Sequence, residues 1–381
     1  MIKRLLSKSL KDSKKSILLL GPRQVGKSTL IKELRPDLTI NLALQNVFLD
    51  YSSDAGKIIE TIDTYNPKSI FIDEVQRLPS LLNTIQAIVD NDKSLKFYLT
   101  GSSARKLKRG RANLLPGRVF SYQLGPFVAK EFNYEIDTKK ALRFGTLPDA
   151  YLSTHEQEAK KILVSYTGSY LKEEIQAEAL TRNLESFSRF IRLVSTQVGQ
   201  FIDYSKFSKK AKISRHSCAR YFEVLEDTLI GQRLFPYEPC IESGDLIKHP
   251  KFYLFDPGVY NGMVSNFNVS ADRLGALAES LVYSQLVHSA YSNDKSINLS
   301  TFRTRGGLEV DFIAEIEGDV FAIEVKSTDN IIEDDTRGLR QIENYFSKKP
   351  SRFLLHMGTQ KKKINGVWCL PWQQGLREMG L

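Results

Sequence analysis

The stretch of sequence that decides the fold is Gly21-Pro22-Arg23-Gln24-Val25-Gly26-Lys27-Ser28. It matches the pattern G-x-x-x-x-G-K-[ST] in full, follows an apolar run at residues 16–20 and precedes a predicted helix at residues 29–34. Such a short apolar run is typical of a buried parallel strand. The two glycines allow the backbone to wrap around phosphates with its N–H groups facing inward, and the helix N-terminus adds its dipole. The order of strand, loop and helix therefore predicts a phosphate-binding site.

Residues at the end of this loop have separate predicted roles. The Lys27 ammonium is expected at the β- and γ-phosphates of a nucleotide, and the Ser28 hydroxyl at Mg²⁺. The backbone from Gly21 to Thr29 is expected to contact the bound nucleotide. The predicted cofactors are therefore ATP and Mg²⁺.

An acidic pair ends a second predicted strand. Residues 69–72 are mostly apolar and are followed by Asp73 and Glu74. Asp73 is expected to hold the Mg²⁺ shell, and Glu74 to polarise the water that attacks the γ-phosphate. The alternative is that the two carboxylates cap a helix predicted from residue 75 onward.

Two further strands, at residues 46–50 and 95–99, complete a predicted parallel α/β sheet. The second is followed by Thr100 and Ser102, and either hydroxyl is a candidate for sensing the γ-phosphate. The sequence does not choose between them.

Arginines are frequent after this strand. One of them is expected to act as an arginine finger on the nucleotide of a neighbouring subunit, and Arg118 is favoured. The other candidates are Arg105, Arg109 and Arg111. The alternatives are a basic solvated loop and a contact with a phosphate backbone.

Four segments together resemble a large family of bacterial and archaeal AAA-type ATPases, and the resemblance extends through nearly the whole chain. The segments are GPRQVGKST (21–29), SIFIDEVQRLP (69–79), FYLTGSSARKL (97–107) and LPGRVFSYQLGPF (115–127). In that family an ATPase domain precedes a C-terminal domain of unknown function. The resemblance implies an AAA-type α/β domain with a parallel sheet, a nucleotide-dependent machine or switch, and a homo-oligomer. Ser28 stands where the family often has Thr, which leaves the hydroxyl role unaffected.

The middle of the chain contains a predicted winged helix-turn-helix. A short helix and turn at residues 203–214, a helix at residues 215–229 and a wing strand at residues 231–237 have the required order. Three side chains are expected to face a DNA groove: Arg215, His216 and Arg220. Four are expected near phosphates: Lys206, Lys209, Lys210 and Lys212. The alternative is a protein–protein module with a solvated basic face.

The C-terminal third resembles the PD-(D/E)xK nuclease core. Asp311 lies in a predicted strand, and Glu324 and Lys326 share one face of the next, because side chains alternate along a strand. Glu279 lies on the preceding predicted helix, and Glu279, Asp311 and Glu324 are the predicted Mg²⁺ ligands for phosphodiester attack.

Two details qualify this resemblance. Gln341 and Tyr345 on the following helix are similar to residues of RecB-type nucleases, whereas Val310 replaces the proline of the motif's name. The alternative to a nuclease is a binding platform without catalytic activity.

The length and net charge of the chain limit its possible partners, location and domain organisation. The 381 residues carry a net charge of +10, which favours DNA as a partner, although a merely basic soluble protein has the same balance. No apolar run approaches the ~20 residues that span a bilayer, so we expect no membrane association and a cytoplasmic location. The predicted organisation is an ATPase domain at 1–140, a helical lid and linker at 141–200, a winged-helix-like region at 201–245 and a nuclease-like α/β domain at 246–381.

These observations predict an ATP-hydrolysing protein that acts on or with DNA, joined to a Mg²⁺-dependent nuclease-like domain. The alternative is a nucleotide-gated protein-interaction switch whose nuclease-like domain is inactive.

Overall fold

The computed structural model of the protein describes residues 2–54, 56–102, 115–170, 184–238 and 246–381. The chain divides into two compact units, Met1–Gly125 with Asp227–Leu229, and Pro126–Glu226 with Ile230–Leu381. Within the described ranges, no helix is both long and apolar enough to cross a lipid bilayer.

The first unit is built on a parallel sheet with the strand order β2-β3-β4-β1-β5. Its strands are β1 (Ser16–Leu20), β2 (Leu38–Asn41), β3 (Ser69–Asp73), β4 (Lys96–Gly101) and β5 (Val119–Gln123). Its helices are α1 (Ser7–Asp12), α2 (Lys27–Lys32), α3 (Gln45–Ser53), α4 (Lys57–Tyr65) and α5 (Leu81–Asn91). The central strands β1, β3 and β4 are almost entirely buried, as expected for a parallel sheet. The predicted parallel α/β sheet is therefore confirmed.

The strand predicted at residues 46–50 is wrong, because these residues belong to helix α3. The edge strand is instead β2, which pairs with β3. Val47 and Tyr51, four residues apart, pack against the core, as one face of a helix does, while Leu49 is 55% exposed. A short apolar run does not distinguish the two element types by periodicity alone. Strand β5 was not predicted.

The second unit contains a six-stranded mixed sheet, a two-stranded sheet and ten α-helices among the described residues. The mixed sheet has the order β12-β13-β11-β10-β9-β8. Its strands are β8 (Ile297–Arg303), β9 (Glu309–Ile316), β10 (Asp319–Lys326), β11 (Ser351–His356), β12 (Lys362–Ile364) and β13 (Val367–Pro371). The two-stranded antiparallel sheet consists of β6 (Gly231–Leu234) and β7 (Lys251–Leu254).

The helices of this unit are mostly short. They are α6 (Thr138–Phe144), α7 (Pro148–Leu152), α8 (Glu156–Ser165), α9 (Leu184–Val194), α10 (Tyr204–Ala211), α11 (Arg215–Asp227), α12 (Pro257–Met263), α13 (Ala271–Ser292), α14 (Arg337–Gln341) and α15 (Trp372–Glu378). The exception is α13, whose C-terminal two-thirds is buried on nearly all sides. This helix contacts β7, β8 and β10 and so forms the centre of the unit.

Helices α9, α10 and α11 pack around a cluster of aromatic rings. The fully buried Phe190 has four ring neighbours with centroid distances of 4.9–5.6 Å: Phe187, Phe207, Tyr221 and Phe222. Phe222 also contacts Phe252 of β7, which connects the helices to the two-stranded sheet. The predicted order of helix, turn, helix and strand is present at these positions.

We expect Phe190→Ala to lower the free energy of unfolding of the second unit by about 3–5 kcal/mol, because it leaves a cavity among four rings. Urea denaturation followed by near-UV circular dichroism measures the change. Phe235→Ala, which removes a ring that is 54% exposed, is the matched control and should change it by less than about 0.5 kcal/mol. Equal effects of the two substitutions would contradict the role of Phe190.

Candidate nucleotide site and acidic cluster

The nucleotide site lies where three neighbouring parallel strands end. Strands β1, β3 and β4 run in the same direction, with Leu20 opposite Gly101 and Ile72 opposite Leu99. The loop after β1, the acidic pair after β3 and the hydroxyls at the end of β4 therefore meet at one edge of the sheet. This arrangement brings together the predicted nucleotide residues of the first unit, apart from Arg118.

The backbone of the phosphate-binding loop explains its glycines. A side chain at Gly21 would approach the carbonyl oxygen of Leu124 to 2.1 Å, so only glycine fits. Gly26 has a φ of 92°, in the left-handed region that favours glycine, and Gln24 has a φ of 62°. These turns lead the chain from β1 into α2, which begins at Lys27.

The Lys27 side chain is buried and folds back onto its own loop. Its Nζ donates to the carbonyl oxygens of Gly21 at 2.9 Å and Pro22 at 2.8 Å. A phosphate oxygen carries a formal negative charge and therefore attracts an ammonium more strongly than a neutral carbonyl oxygen does. The lysine is therefore positioned to exchange these carbonyls for a phosphate.

Arg4 supports the loop from outside the motif. Its buried guanidinium donates to the carbonyl oxygens of Val25 at 2.7 Å and Gly125 at 2.8 Å. Sequence reasoning missed this residue, because a single arginine in a basic N-terminal segment carries no spacing signal.

Asp73, the first residue of the acidic pair, is hydrogen-bonded both to the phosphate-binding loop and to β4. Its Oδ1 accepts hydrogen bonds from the Ser28 hydroxyl at 2.8 Å and from the Thr100 hydroxyl at 2.5 Å. The Thr100 hydroxyl in turn accepts from the backbone N–H of Glu74 at 3.2 Å. The predicted Mg²⁺ residues Ser28 and Asp73 are thus in direct contact.

This donor set fits a nucleotide-bound Mg²⁺. A hydroxyl and one carboxylate are hard oxygen ligands, and Mg²⁺ bound with phosphates usually keeps several waters and few protein ligands. Among the residues that the structure describes, no group of three or more His, Cys, Asp or Glu side chains is arranged to hold a metal. The site is therefore suited to a metal that arrives with a nucleotide.

Glu74 is held in a left-handed conformation with a φ of 60°, which costs a non-glycine residue free energy. Its carboxylate accepts a hydrogen bond from the Gln76 side chain, whose Nε2 also donates to the Ser102 hydroxyl at 2.9 Å. The buried Oε1 of Gln76 has no hydrogen-bond partner among the described residues. Gln76 was not predicted, although it follows the acidic pair by two positions in the segment DEVQ.

Arg118 lies just before β5, at the opposite end of the sheet, because Val119 pairs with Ser16 at the start of β1. Its guanidinium forms a two-point ion pair with Asp90, with distances of 2.9 and 3.1 Å. An arginine finger acts on a neighbouring subunit, so this assignment stays a prediction. The other three candidates, Arg105, Arg109 and Arg111, lie outside the described residues.

The second unit brings the predicted C-terminal residues together. Glu279 lies on α13, Asp311 on β9, and Glu324 and Lys326 on β10. Asp311 Oδ2 accepts from the backbone N–H of Val325 at 2.9 Å, and Lys326 Nζ lies 3.0 Å from Glu324 Oε1. Burial, reinforced by the charge of Asp311, raises the pKa of the Glu279 and Glu324 carboxyls. Gln341 is the last residue of α14, and Tyr345 lies four residues after it in sequence.

An unpredicted lysine lies inside this cluster. Lys251, the first residue of β7, places its Nζ 3.0 Å from Glu279 Oε1, 3.1 Å from Glu309 Oε1 and 3.5 Å from Asp311 Oδ1. Burial opposes its charge, but the three carboxylates outweigh burial and raise its pKa. No motif marks Lys251, which is distant in sequence from the carboxylates it contacts.

Three family models match consecutive parts of the chain. Residues 13–133 match an AAA domain, residues 135–271 the domain of unknown function DUF8612, and residues 274–374 the domain of unknown function DUF4143. The predicted AAA-type ATPase domain is thus confirmed.

Two curated relatives are themselves uncharacterized proteins. One, from Mycobacterium tuberculosis, is 24% identical over 322 residues, which cover 82% of this chain and 70% of the relative. The other, from Methanocaldococcus jannaschii, is 23% identical over 294 residues, which cover 71% and 63%. Among solved structures, the replication initiator DnaA bound to AMPPCP and single-stranded DNA is 13% identical over 58% of this chain and 86% of its own, with a TM-score of 0.27. A score this low does not establish a shared fold.

We expect Lys27→Ala to weaken ATP binding by roughly 10- to 100-fold, because it removes charge-assisted hydrogen bonds worth about 1.5–3 kcal/mol. Isothermal titration calorimetry with a non-hydrolysable ATP analogue and Mg²⁺ measures the affinity. Lys32→Ala removes an exposed lysine from the same helix and should leave the affinity unchanged. Equal affinity of the two variants would exclude Lys27 from the site.

Proposed function

We propose that the chain binds and hydrolyses ATP with Mg²⁺ at the edge of the five-stranded sheet. The observation that carries this proposal is the hydrogen bond of 2.8 Å from Ser28 to Asp73. It connects the end of the phosphate-binding loop to the acidic pair, two segments that are separate in sequence and that ATP hydrolysis requires together. The AAA domain match over residues 13–133 supports the same activity.

Each side chain of the site has a separate role in ATP hydrolysis. Lys27 neutralises the β- and γ-phosphates, and Ser28 and Asp73 hold the Mg²⁺, which screens the phosphate charge when bound. Glu74 orients the attacking water and polarises it. Gln76 contacts both Glu74 and Ser102 and positions the Glu74 carboxylate. The Thr100 hydroxyl accepts a hydrogen bond from the Glu74 backbone N–H and so also helps to position Glu74.

We propose DNA as the partner of helices α10 and α11. Six basic or titratable side chains on these helices and their turn are exposed: Lys206, Lys209, Lys210, Lys212, Arg215 and His216. Asp203 begins α10 by accepting from the backbone N–H groups of Ser205 and Lys206, and the Ser214 hydroxyl accepts from Ser217 in the first turn of α11. Two capped helices with a basic turn between them are suited to contact a phosphate backbone. Arg220 is half-buried and is less accessible than the others.

A nucleotide-gated protein-interaction switch is the second candidate. The observation that favours it is the position of Lys251 within the C-terminal acidic cluster, which argues against Mg²⁺-dependent nuclease chemistry there. In both candidates, ATP changes how subunits of a homo-oligomer pack, and hydrolysis reverses the change. DNA-dependent ATP hydrolysis distinguishes the two.

We expect Glu74→Gln to lower kcat for ATP hydrolysis by roughly 10²–10⁴-fold while ATP still binds, because the amide cannot accept the proton of the attacking water. Phosphate release and analogue binding measure the two quantities. Glu60→Gln, an exposed substitution on α4 in the same unit, is the control. Hydrolysis by Glu74→Gln at the wild-type rate would show that another group is the base.

We expect double-stranded, single-stranded or branched DNA to stimulate ATP hydrolysis, and Lys209→Glu/Lys210→Glu to abolish the stimulation. If these lysines neutralise two phosphates, their loss should also reduce the slope of log K against log salt by about 2. Lys161→Glu/Lys348→Glu is the control, because it makes the same change in net charge at exposed positions elsewhere in the second unit. This variant should keep the stimulation by DNA. Hydrolysis that no DNA form changes would favour the protein-interaction switch.

A further inference from the structure

We infer that the Lys251 ammonium occupies the cation position of the C-terminal acidic cluster, so that the cluster binds no divalent metal ion. This inference does not depend on ATP hydrolysis or DNA binding. It concerns Lys251 and the carboxylates of Glu279, Glu309 and Asp311, all within the second unit.

The ammonium of Lys251 is surrounded by carboxylates of the cluster. Its Nζ donates a hydrogen bond to Glu279 Oε1 at 3.0 Å and forms ion pairs with Glu309 Oε1 at 3.1 Å and Asp311 Oδ1 at 3.5 Å. Its side chain is 4% exposed. One cation is therefore shared by Glu279 of α13 and by Glu309 and Asp311 of β9.

A divalent metal would need the same oxygen atoms. Mg²⁺ requires oxygen ligands at about 2.0–2.1 Å in octahedral geometry. A metal at that distance from Glu279 Oε1 and Asp311 Oδ1 would lie next to the ammonium, which contacts these same two atoms. Two like charges at contact distance in a buried site repel strongly, so lysine and metal exclude each other.

Glu324, another predicted metal ligand, is paired with a second lysine. Lys326 Nζ lies 3.0 Å from Glu324 Oε1 and 3.8 Å from Asp335 Oδ1. The buried Glu324 Oε2 has no hydrogen-bond partner among the described residues. A metal bound to Glu324 Oε1 would therefore also lie next to an ammonium.

Strand pairing also holds the backbone of Lys251 in place. Its backbone pairs with Leu234 of β6 and bridges to Phe201, and its Nζ lies 5.1 Å from the centre of the Phe201 ring. Tyr253, two residues further along β7, donates its hydroxyl to Glu279 Oε1. The two-stranded sheet therefore holds the lysine in the cluster and adds a second contact to the same glutamate.

The test is Mn²⁺ binding by electron paramagnetic resonance, with the full-length, nucleotide-free chain. Wild-type protein and Asp311→Asn should bind the same number of Mn²⁺ ions, because the cluster holds none in either. Lys251→Met should bind one additional Mn²⁺ per chain, and Lys251→Met/Asp311→Asn should lose it. Lys251→Arg, which keeps a cation in place, should resemble the wild type.

Thermal unfolding provides a second readout. Lys251→Met should have a lower Tm than the wild type, because it leaves buried carboxylates without a cation, and Mn²⁺ should raise the Tm of this variant alone. If Lys251→Met does not fold, the comparison of wild type with Asp311→Asn still decides. A Mn²⁺ ion that binds the wild type and is lost in Asp311→Asn would overturn the inference, as would a Lys251→Met variant that folds and gains no ion.

Discussion

A buried charge must be matched by an opposite charge or by hydrogen bonds, and this constraint shapes both polar sites of the protein. In the first unit, Lys27 is held by two backbone carbonyls and Asp73 by two hydroxyls. In the second unit, Lys251 is held by three carboxylates. The three groups around Lys251 carry formal charges, whereas the two carbonyls that Lys27 contacts do not.

A phosphate attracts the Lys27 ammonium more strongly than the carbonyl oxygens that it contacts in this structure. A phosphate oxygen carries a formal negative charge, whereas a carbonyl oxygen carries only a partial one. The carboxylates around Lys251 have already made that stronger interaction, and removing one partner from such a buried pair costs about 3–5 kcal/mol. The carboxylates around Lys251 are therefore already engaged with a cation, whereas the Lys27 ammonium at the edge of the parallel sheet contacts neutral carbonyl oxygens.

The features that the sequence predicted are those carried by local patterns. The loop at residues 21–28, the strands at 16–20 and 69–73 and the turn between α10 and α11 each depend on residues close together in the chain. Lys251 and Arg4 act through partners that are distant in sequence, and no spacing marks them in advance. Gln76 lies two residues after Glu74, but its contact with Ser102 depends on the fold. Helix α3 was mistaken for a strand because only tertiary packing of Val47 and Tyr51 distinguishes the two.

Lys251 belongs to the two-stranded sheet that follows α11, and the carboxylates that hold it belong to α13 and β9. Two of the residues that resemble a nuclease site, Glu279 and Asp311, therefore connect the two-stranded sheet to α13 and to the six-stranded sheet of the same unit. The ring contact between Phe222 and Phe252 continues this connection into α11. Because lost pairing at a buried cation would loosen the strand that carries it, the cluster stabilises β7 and with it the contact of Phe252 with α11. The position of Asp311 on β9 therefore serves a structural purpose that does not require cleavage of a phosphodiester.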